Sequence, residues 1–332
     1  MAILHSLLMA TNFRNPFLRN LIPSVGLAFG IQAAVAVPSI LGQTERFYDL
    51  SGSLTYLSCT ALSLYLPAMR ARATAAVAGA AKPAWPSLLS AFNGTAGPYG
   101  FNWRQVVLSA AVTIWAARLG TFLFQRILKD GSDSRFETIR TSLPKFLGAF
   151  FAQAVWVSLC LLPVLSINSL APSTFTALGS LVSLTDILGV ALYLGGLGFE
   201  ATADRQKSAW SREKKEKKHD EDFLTRGLWS KSRHPNYFGE STLWTGIATL
   251  AGGVLASKAG VAGMGFSSVG SGLLTGKIVA LLAAGVSPAF VTFLLFKVSG
   301  IPLSEKKYDK KFGDREDYQR WKRETPMFFP KF

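Results

Sequence analysis

Only two cysteines and three histidines occur in 332 residues, and only 17% of the chain is charged. Cys59 and Cys160 fall inside apolar stretches far apart in sequence, which makes them buried packing residues rather than a disulfide or a nucleophile. His5, His219 and His234 have no spacing that would assemble a metal site, so metal catalysis is disfavoured. Acidic residues are scarce as well: 20 Asp and Glu stand against 35 Lys and Arg, for a net charge of +15. The apolar stretches lack the alternation of a barrel strand, which excludes that membrane architecture. Residues 1–10 carry neither a basic leader nor a persuasive cleavage site, so no removable signal peptide is expected. The last residues, Phe328-Phe329-Pro330-Lys331-Phe332, spell no legible organelle address.

What is present in quantity is apolar length. Hydrophobic residues make up 49% of the chain and the mean hydropathy is +0.27, a composition that fits a membrane protein better than two soluble domains. A hydrocarbon layer of about 30 Å takes roughly 20 apolar residues as helix. Seven stretches qualify: 21–41, 50–69, 105–128, 146–167, 177–199, 237–256 and 278–298. The expected fold is therefore an all-α polytopic bundle of about seven transmembrane helices.

Lys and Arg concentrate between the third and fourth spans (Lys129, Arg135, Arg140, Lys145), between the fifth and sixth (Arg205 to Arg233), and after Val298. With seven spans these segments share one side, and their basic excess marks it as cytosolic, leaving the N-terminus lumenal. Arg70, Arg72 and Lys82 on the opposite side weaken the contrast. The run Arg212-Glu213-Lys214-Lys215-Glu216-Lys217-Lys218 has no interleaved aromatics and sits among membrane spans. It reads as a solvated or headgroup-facing loop, and no nucleic acid or obligate protein partner is expected.

Gly196-Leu197-Gly198-Phe199-Glu200-Ala201 matches a permissive dinucleotide fingerprint. That motif works only where a strand turns into a helix, however, and here it closes an apolar helical run, so small residues for close helix approach are the better reading. The Gly and Ser richness of 252–276 reads as a flexible connection.

The segment Ser232-Arg233-His234-Pro235-Asn236-Tyr237-Phe238-Gly239-Glu240 carries the chemistry. It packs polar groups at the mouth of an apolar span, where burying them is costly unless they grip one another or a ligand. Pro235 suits a first helical turn, and on a helix starting there Asn236, Tyr237 and Glu240 share a face. Arg233 offers a planar fork of donors suited to phosphate, and Asn236 can pair with a carboxamide. Glu200 and Asp204, with Arg205 and Lys207, lie at the end of the fifth span. Glu305, Lys306 and Tyr308 follow the last one. Three segments thus bring polar groups to one membrane face, as helix bundles do to build ligand sites. Arg118, in mid-span on the third helix, needs a carboxylate or a cofactor phosphate as partner.

These motifs resemble the DUF1295 group of membrane proteins, which is related to the C-terminal domain of steroid 5-alpha-reductases. The resemblance is carried by Gln153-Ala154-Val155-Trp156, by 199–207, by 232–240 and by Val298-Ser299-Gly300-Ile301-Pro302-Leu303-Ser304-Glu305-Lys306, with Trp115 and Arg118 also similar. It divides the chain into N-terminal helices (1–135), a possible substrate side, and a reductase-like domain with a cytosol-facing cofactor cavity (136–332). It implies NADPH as cofactor, with Asn236, Tyr237 and Glu240 at the nicotinamide end. Asp204, Arg205 and Lys207 would meet the adenosine and phosphate end, and Arg233, His234, Glu305, Tyr308 and Arg118 complete the cofactor-binding set. Tyr237 and Glu240 are the catalytic candidates. The implied reaction is reduction of an activated carbon-carbon double bond in a steroid, sterol or other lipid, in the endoplasmic reticulum. No N-terminal motif identifies the groups that would polarise that substrate.

Isoprenylcysteine carboxyl and phospholipid methyltransferases carry a similar Arg-His-Pro-x-Tyr run and bind S-adenosylmethionine, whose sulfonium would be met by Glu240, Glu305 and Tyr237. A third alternative is a non-enzymatic lipid-binding protein that has kept the fold.

Overall fold

The computed structural model describes residues 2–93, 97, 99–179, 181–267 and 272–332. Twelve α-helices are found among them, and no strand: α1 (Ala2–Ala10), α2 (Pro16–Leu41), α3 (Tyr48–Val77), α4 (Trp103–Asp130), α5 (Leu143–Asn168), α6 (Pro172–Leu178), α7 (Leu184–Lys215), α8 (Pro235–Leu255), α9 (Lys258–Gly263), α10 (Leu273–Phe293), α11 (Ile301–Phe312) and α12 (Glu316–Glu324). A helix stands at each of the seven expected spans. Five segments are long and apolar enough to cross a membrane: Pro16–Leu41, Trp103–Asp130, Leu143–Asn168, Leu184–Lys215 and Leu273–Phe312. The chain is thus a multi-pass membrane protein. Two of the expected spans, α3 and α8, fall outside that set. Asp49 and Arg70 with many Ser and Thr dilute α3, and Glu240 with Ser, Thr and Gly dilutes α8.

Two compact units emerge, 1–185 with 250–286 and 186–249 with 287–332. The boundary expected at 135/136 falls inside the first unit.

In the first unit α2 is inverted relative to a soluble helix. The inner face of α2 is Asn20, Ser24, Ala28, Gln32, Ala36 and Ser39, whereas Leu18, Ile22, Val37 and Leu41 are exposed. Lipid solvates apolar side chains, so small and polar residues are the ones that hold membrane helices together. Gln32 Nε2 donates to Thr55 Oγ1 at 2.7 Å, and the amide of Asn168 donates to Ser63 Oγ at 2.9 Å. Neither cysteine is in a disulfide and both are buried, as their placement in apolar spans implies.

Two of the three cations that blurred the charge asymmetry, Arg70 and Arg72, are occupied. Arg70 is buried and donates to the carbonyls of Leu8 (3.1 Å), Thr11 (2.9 Å) and Arg19 (3.0 Å). Arg72 lies 4.6 Å over the ring of Trp85. They act as internal ties, so their position says little about sidedness.

Two local expectations change. The fifth span starts at Leu184 rather than 177, because Pro172 opens the short α6 and Gly179, at φ +81°, ends it. At the other end α7 continues through Arg212–Lys215, so the start of the charged run is helix rather than loop. The Gly-rich 252–276 segment is mainly helical rather than a flexible connection, except 268–271, which lie outside the described residues. Several of its glycines are packing positions: a Cβ at Gly263 would come within 2.6 Å of Thr174 Oγ1.

Candidate functional site

The second unit is built on a glycine contact between α7 and α8. A Cβ at Gly196 would lie 2.5 Å from the Leu243 amide nitrogen, and one at Gly239 would lie 2.6 Å from that of Glu200. The two backbones therefore touch, which only glycine permits. Gly198 has nothing within 4 Å. The Gly-x-Gly pair accordingly serves helix packing through Gly196 alone, with no strand before it.

That contact sets the start of α8 beside the end of α7. The turn leading into α8 is tied down by the C-terminal tail. Ser232 Oγ donates to the Phe328 carbonyl at 2.9 Å and accepts from the His234 amide at 3.1 Å. The amide of Arg233 donates to Pro326 O at 2.9 Å, and that of Lys331 to Lys231 O at 2.9 Å. On the other flank Trp229 Nε1 donates to the Ala203 carbonyl at 3.0 Å.

Glu305, on the first turns of α11, is the hub of the site. Its carboxylate accepts from Arg233 Nη1, from His234 Nε2 at 2.8 Å, and pairs with Lys322 Nζ at 3.4 Å. Lys322 also reaches Asp309 Oδ1 at 2.5 Å, which accepts from the Tyr318 hydroxyl at 2.8 Å. His234 is buried, and that burial pushes its pKa below the usual 6.5; Glu305 pulls upward, while Lys207 and Arg233 push further down. A neutral imidazole facing a carboxylate carries its proton on Nε2 and donates it.

These groups line a narrow cleft of about 450 Å³, counting the part open to solvent. Its polar wall is Lys207, Arg233, His234, Ser304 and Glu305. Its aromatic wall is Trp210, Phe223, Trp229, Tyr308, Tyr318 and Trp321. Lys207 Nζ stands 4.9 Å above the ring of Trp229. Arg233 Nε and Trp321 Nε1 are buried donors with no acceptor among the described residues. Unmet buried donors are costly, and these two would be met by a water or an acceptor group entering the cleft.

Of the expected site residues, the fold brings Lys207, Arg233, His234, Glu305 and Tyr308 to one cleft. Asp204 is buried on α7 and Arg205 is exposed there, both outside the lining. Asn236, Tyr237 and Glu240 are half-buried at the start of α8, beside rather than within the cleft wall. Asn236 Oδ1 is buried and accepts no hydrogen bond among the described residues. Arg118 is half-buried on α4, in the first unit.

Trp210, Tyr318, Trp321 and Lys322 belong to the cleft or its edge and were not anticipated. A signal existed in the sequence: Tyr318 and Trp321, three apart, are the aromatic residues of the otherwise polar α12. Such a pair marks the face that packs.

A family described as protein of unknown function, DUF1295, matches the chain over residues 70–325. The chain therefore belongs to that family, and the match begins well upstream of Phe136, within α3. No curated protein and no solved structure matches the chain.

Proposed function

We propose that this DUF1295 protein is a membrane-embedded, NADPH-dependent reductase of an activated carbon-carbon double bond in a lipophilic substrate. The observation that carries this reading is the composition of the cleft, in which aromatic rings for a nucleotide base line the same space as Lys207 and Arg233 for phosphate. Arg233 Nε and Trp321 Nε1 add two donors that lack acceptors. Aromatic rings stack on bases and planar guanidinium forks match phosphate oxygens.

On this reading the cleft holds the adenosine-phosphate end of the cofactor. Asn236, Tyr237 and Glu240 stand further along α8, where the nicotinamide would lie. Asn236 Oδ1, lacking a donor, is suited to accept from the carboxamide. Bound NADPH would supply hydride to the electron-poor carbon of the double bond, the adjacent carbon taking a proton. The protein's own part is placement, since Asn236 and Glu240, four apart on one helix, select which ring face is presented.

The basic excess of residues 205–233 and of the tail after Val298 favours a cytosolic site, and the resemblance to steroid 5-alpha-reductases favours the endoplasmic reticulum. The substrate enters from the bilayer.

One observation favours the methyltransferase reading: six aromatic rings around a carboxylate, Glu305, also suit the sulfonium of S-adenosylmethionine. Glu305 is, however, already neutralised by Arg233 and Lys322, which leaves the cleft net cationic. Titrating detergent-purified protein with NADPH and S-adenosylmethionine in parallel separates the two. Saturable NADPH binding with consumption on lipophilic enones supports the reductase. Tight S-adenosylmethionine binding without NADPH binding overturns it.

A further inference from the structure

We infer that Glu305 is a built-in stand-in for a phosphate monoester, and that Arg233, His234 and Lys322, which now hold its carboxylate, form the site that selects a phosphorylated cofactor over its unphosphorylated counterpart. This rests on the cofactor reading above and names the part of the cofactor that the fork receives.

Three donors converge on the two oxygens of Glu305: Arg233 Nη1, His234 Nε2 at 2.8 Å and Lys322 Nζ at 3.4 Å. They come from two elements, the turn before α8 (Arg233 and His234) and α12 (Lys322), while α11 carries Glu305 itself. The Arg233 side chain is only 10% exposed and still leaves Nε without an acceptor. One carboxylate therefore underfills the fork. A phosphate monoester carries three terminal oxygens and close to two negative charges, against two oxygens and one charge for Glu305. It fits the three donors better and leaves an acceptor for Arg233 Nε. A bridging pyrophosphate has a single charge on each phosphorus and competes less well. Asp309, which shares Lys322, raises the charge the ligand must bring.

The aromatic wall lies in the same cleft. Tyr318 and Trp321 stand on the helix that carries Lys322, and their rings are 5.7 Å apart. Tyr318 is buried in the aromatic cluster and Trp321 is half-buried, so a phosphate in the fork would sit beside Trp321, the ring of the pair able to stack the adenine of the same nucleotide. Glu305 must swing out as the phosphate enters, so it acts as a competitor present in every empty molecule. Without a phosphate the fork remains closed.

The experiment compares NADPH and NADH binding by calorimetry to the wild-type protein, Glu305→Gln and Lys322→Met, with thermal stability recorded for each variant. Removing the competing charge while keeping the side-chain shape should tighten NADPH by about tenfold, the scale of one partly buried ion pair, and leave NADH within about twofold. Lys322→Met should weaken NADPH and leave NADH unchanged, which supplies a test should Glu305→Gln fold poorly. In Glu305→Gln, inorganic phosphate should compete with NADPH and not with NADH. Equal effects on both nucleotides, or a loss of NADPH affinity in a folded Glu305→Gln, overturn the inference while leaving the reductase reading standing. Stabilisation of Glu305→Gln by inorganic phosphate with no nucleotide binding to any form retains the fork and overturns the cofactor reading.

Discussion

The imidazole of His234 lies face to face with the ring of Tyr237, their centroids 5.5 Å apart and their planes 8° from parallel. The two residues are three apart where the chain enters α8, so the helix itself makes the stack. With Glu305 on Nε2 and Tyr237 on the ring face, His234 is fixed in position and orientation.

This burial has a pH consequence. The groups that face His234 are Glu305 on α11, Lys207 on α7 and Arg233 beside it, and burial outweighs Glu305 to hold the folded pKa below 6.5. The unfolded chain thus takes up a proton first as pH falls. The contribution of His234 to stability is complete above about pH 6.5 and is lost as pH falls through the lower folded value. Thermal stability in detergent should decline across that window in the wild type and decline less in His234→Gln. Parallel curves for the two proteins would remove His234 as the cause.

Placement of the nicotinamide is tested on α8. If NADPH is the cofactor, Asn236→Ala and Glu240→Gln should each lose about a hundredfold in turnover, the cost of roughly 1 Å of misplacement, with folding retained. Arg233→Ala should instead raise the NADPH dissociation constant. NADPH consumption against a panel of lipophilic enones, with affinity measured separately, distinguishes these effects. Unchanged turnover in Asn236→Ala would move the reacting end of the cofactor elsewhere.

The glycine contact separates packing from cofactor binding. A Cβ at Gly239 would sit 2.6 Å from the backbone nitrogen of Glu200, which cannot yield as a side-chain tip could, whereas one at Gly198 meets nothing. Gly239→Ala should destabilise the protein by about 2 kcal/mol, and Gly198→Ala should stay within about 0.5 kcal/mol. A dinucleotide-loop role for Gly198 would instead show as lost cofactor affinity in Gly198→Ala.

Sidedness follows from the bonds between the tail and the turn before α8. Because Arg233 N donates to Pro326 O and Lys331 N to Lys231 O, each at 2.9 Å, the segment 205–233, which starts as the end of α7, and the tail lie on one face. Single cysteines placed at Ser208 and Lys310 should label together in sealed vesicles, and from the cytosolic side if the basic excess sets orientation. Labelling from opposite sides would contradict the fold, and joint lumenal labelling would reverse the orientation.

The sequence by itself determined that the chain is a helical membrane protein, because unbroken apolar length admits few other solutions in a bilayer. It also singled out the polar cluster of Arg233, His234 and Asn236, since such groups beside an apolar span are costly without partners. The motifs around Glu200, Pro235 and Glu305 pointed to the family that matches residues 70–325. Only the tertiary structure decided which polar groups meet. Glu305 lies 71 residues from its hydrogen-bond partner His234, and no local pattern encodes that separation. The same holds for Tyr318, Trp321 and Lys322, which read as an ordinary amphipathic helix until α12 folds beside α11 and completes the cleft. Helix identity is set by nearest neighbours along the chain. The site is set by which helices can approach, and that was decided at Gly196 and Gly239, where the absence of a side chain lets two backbones touch.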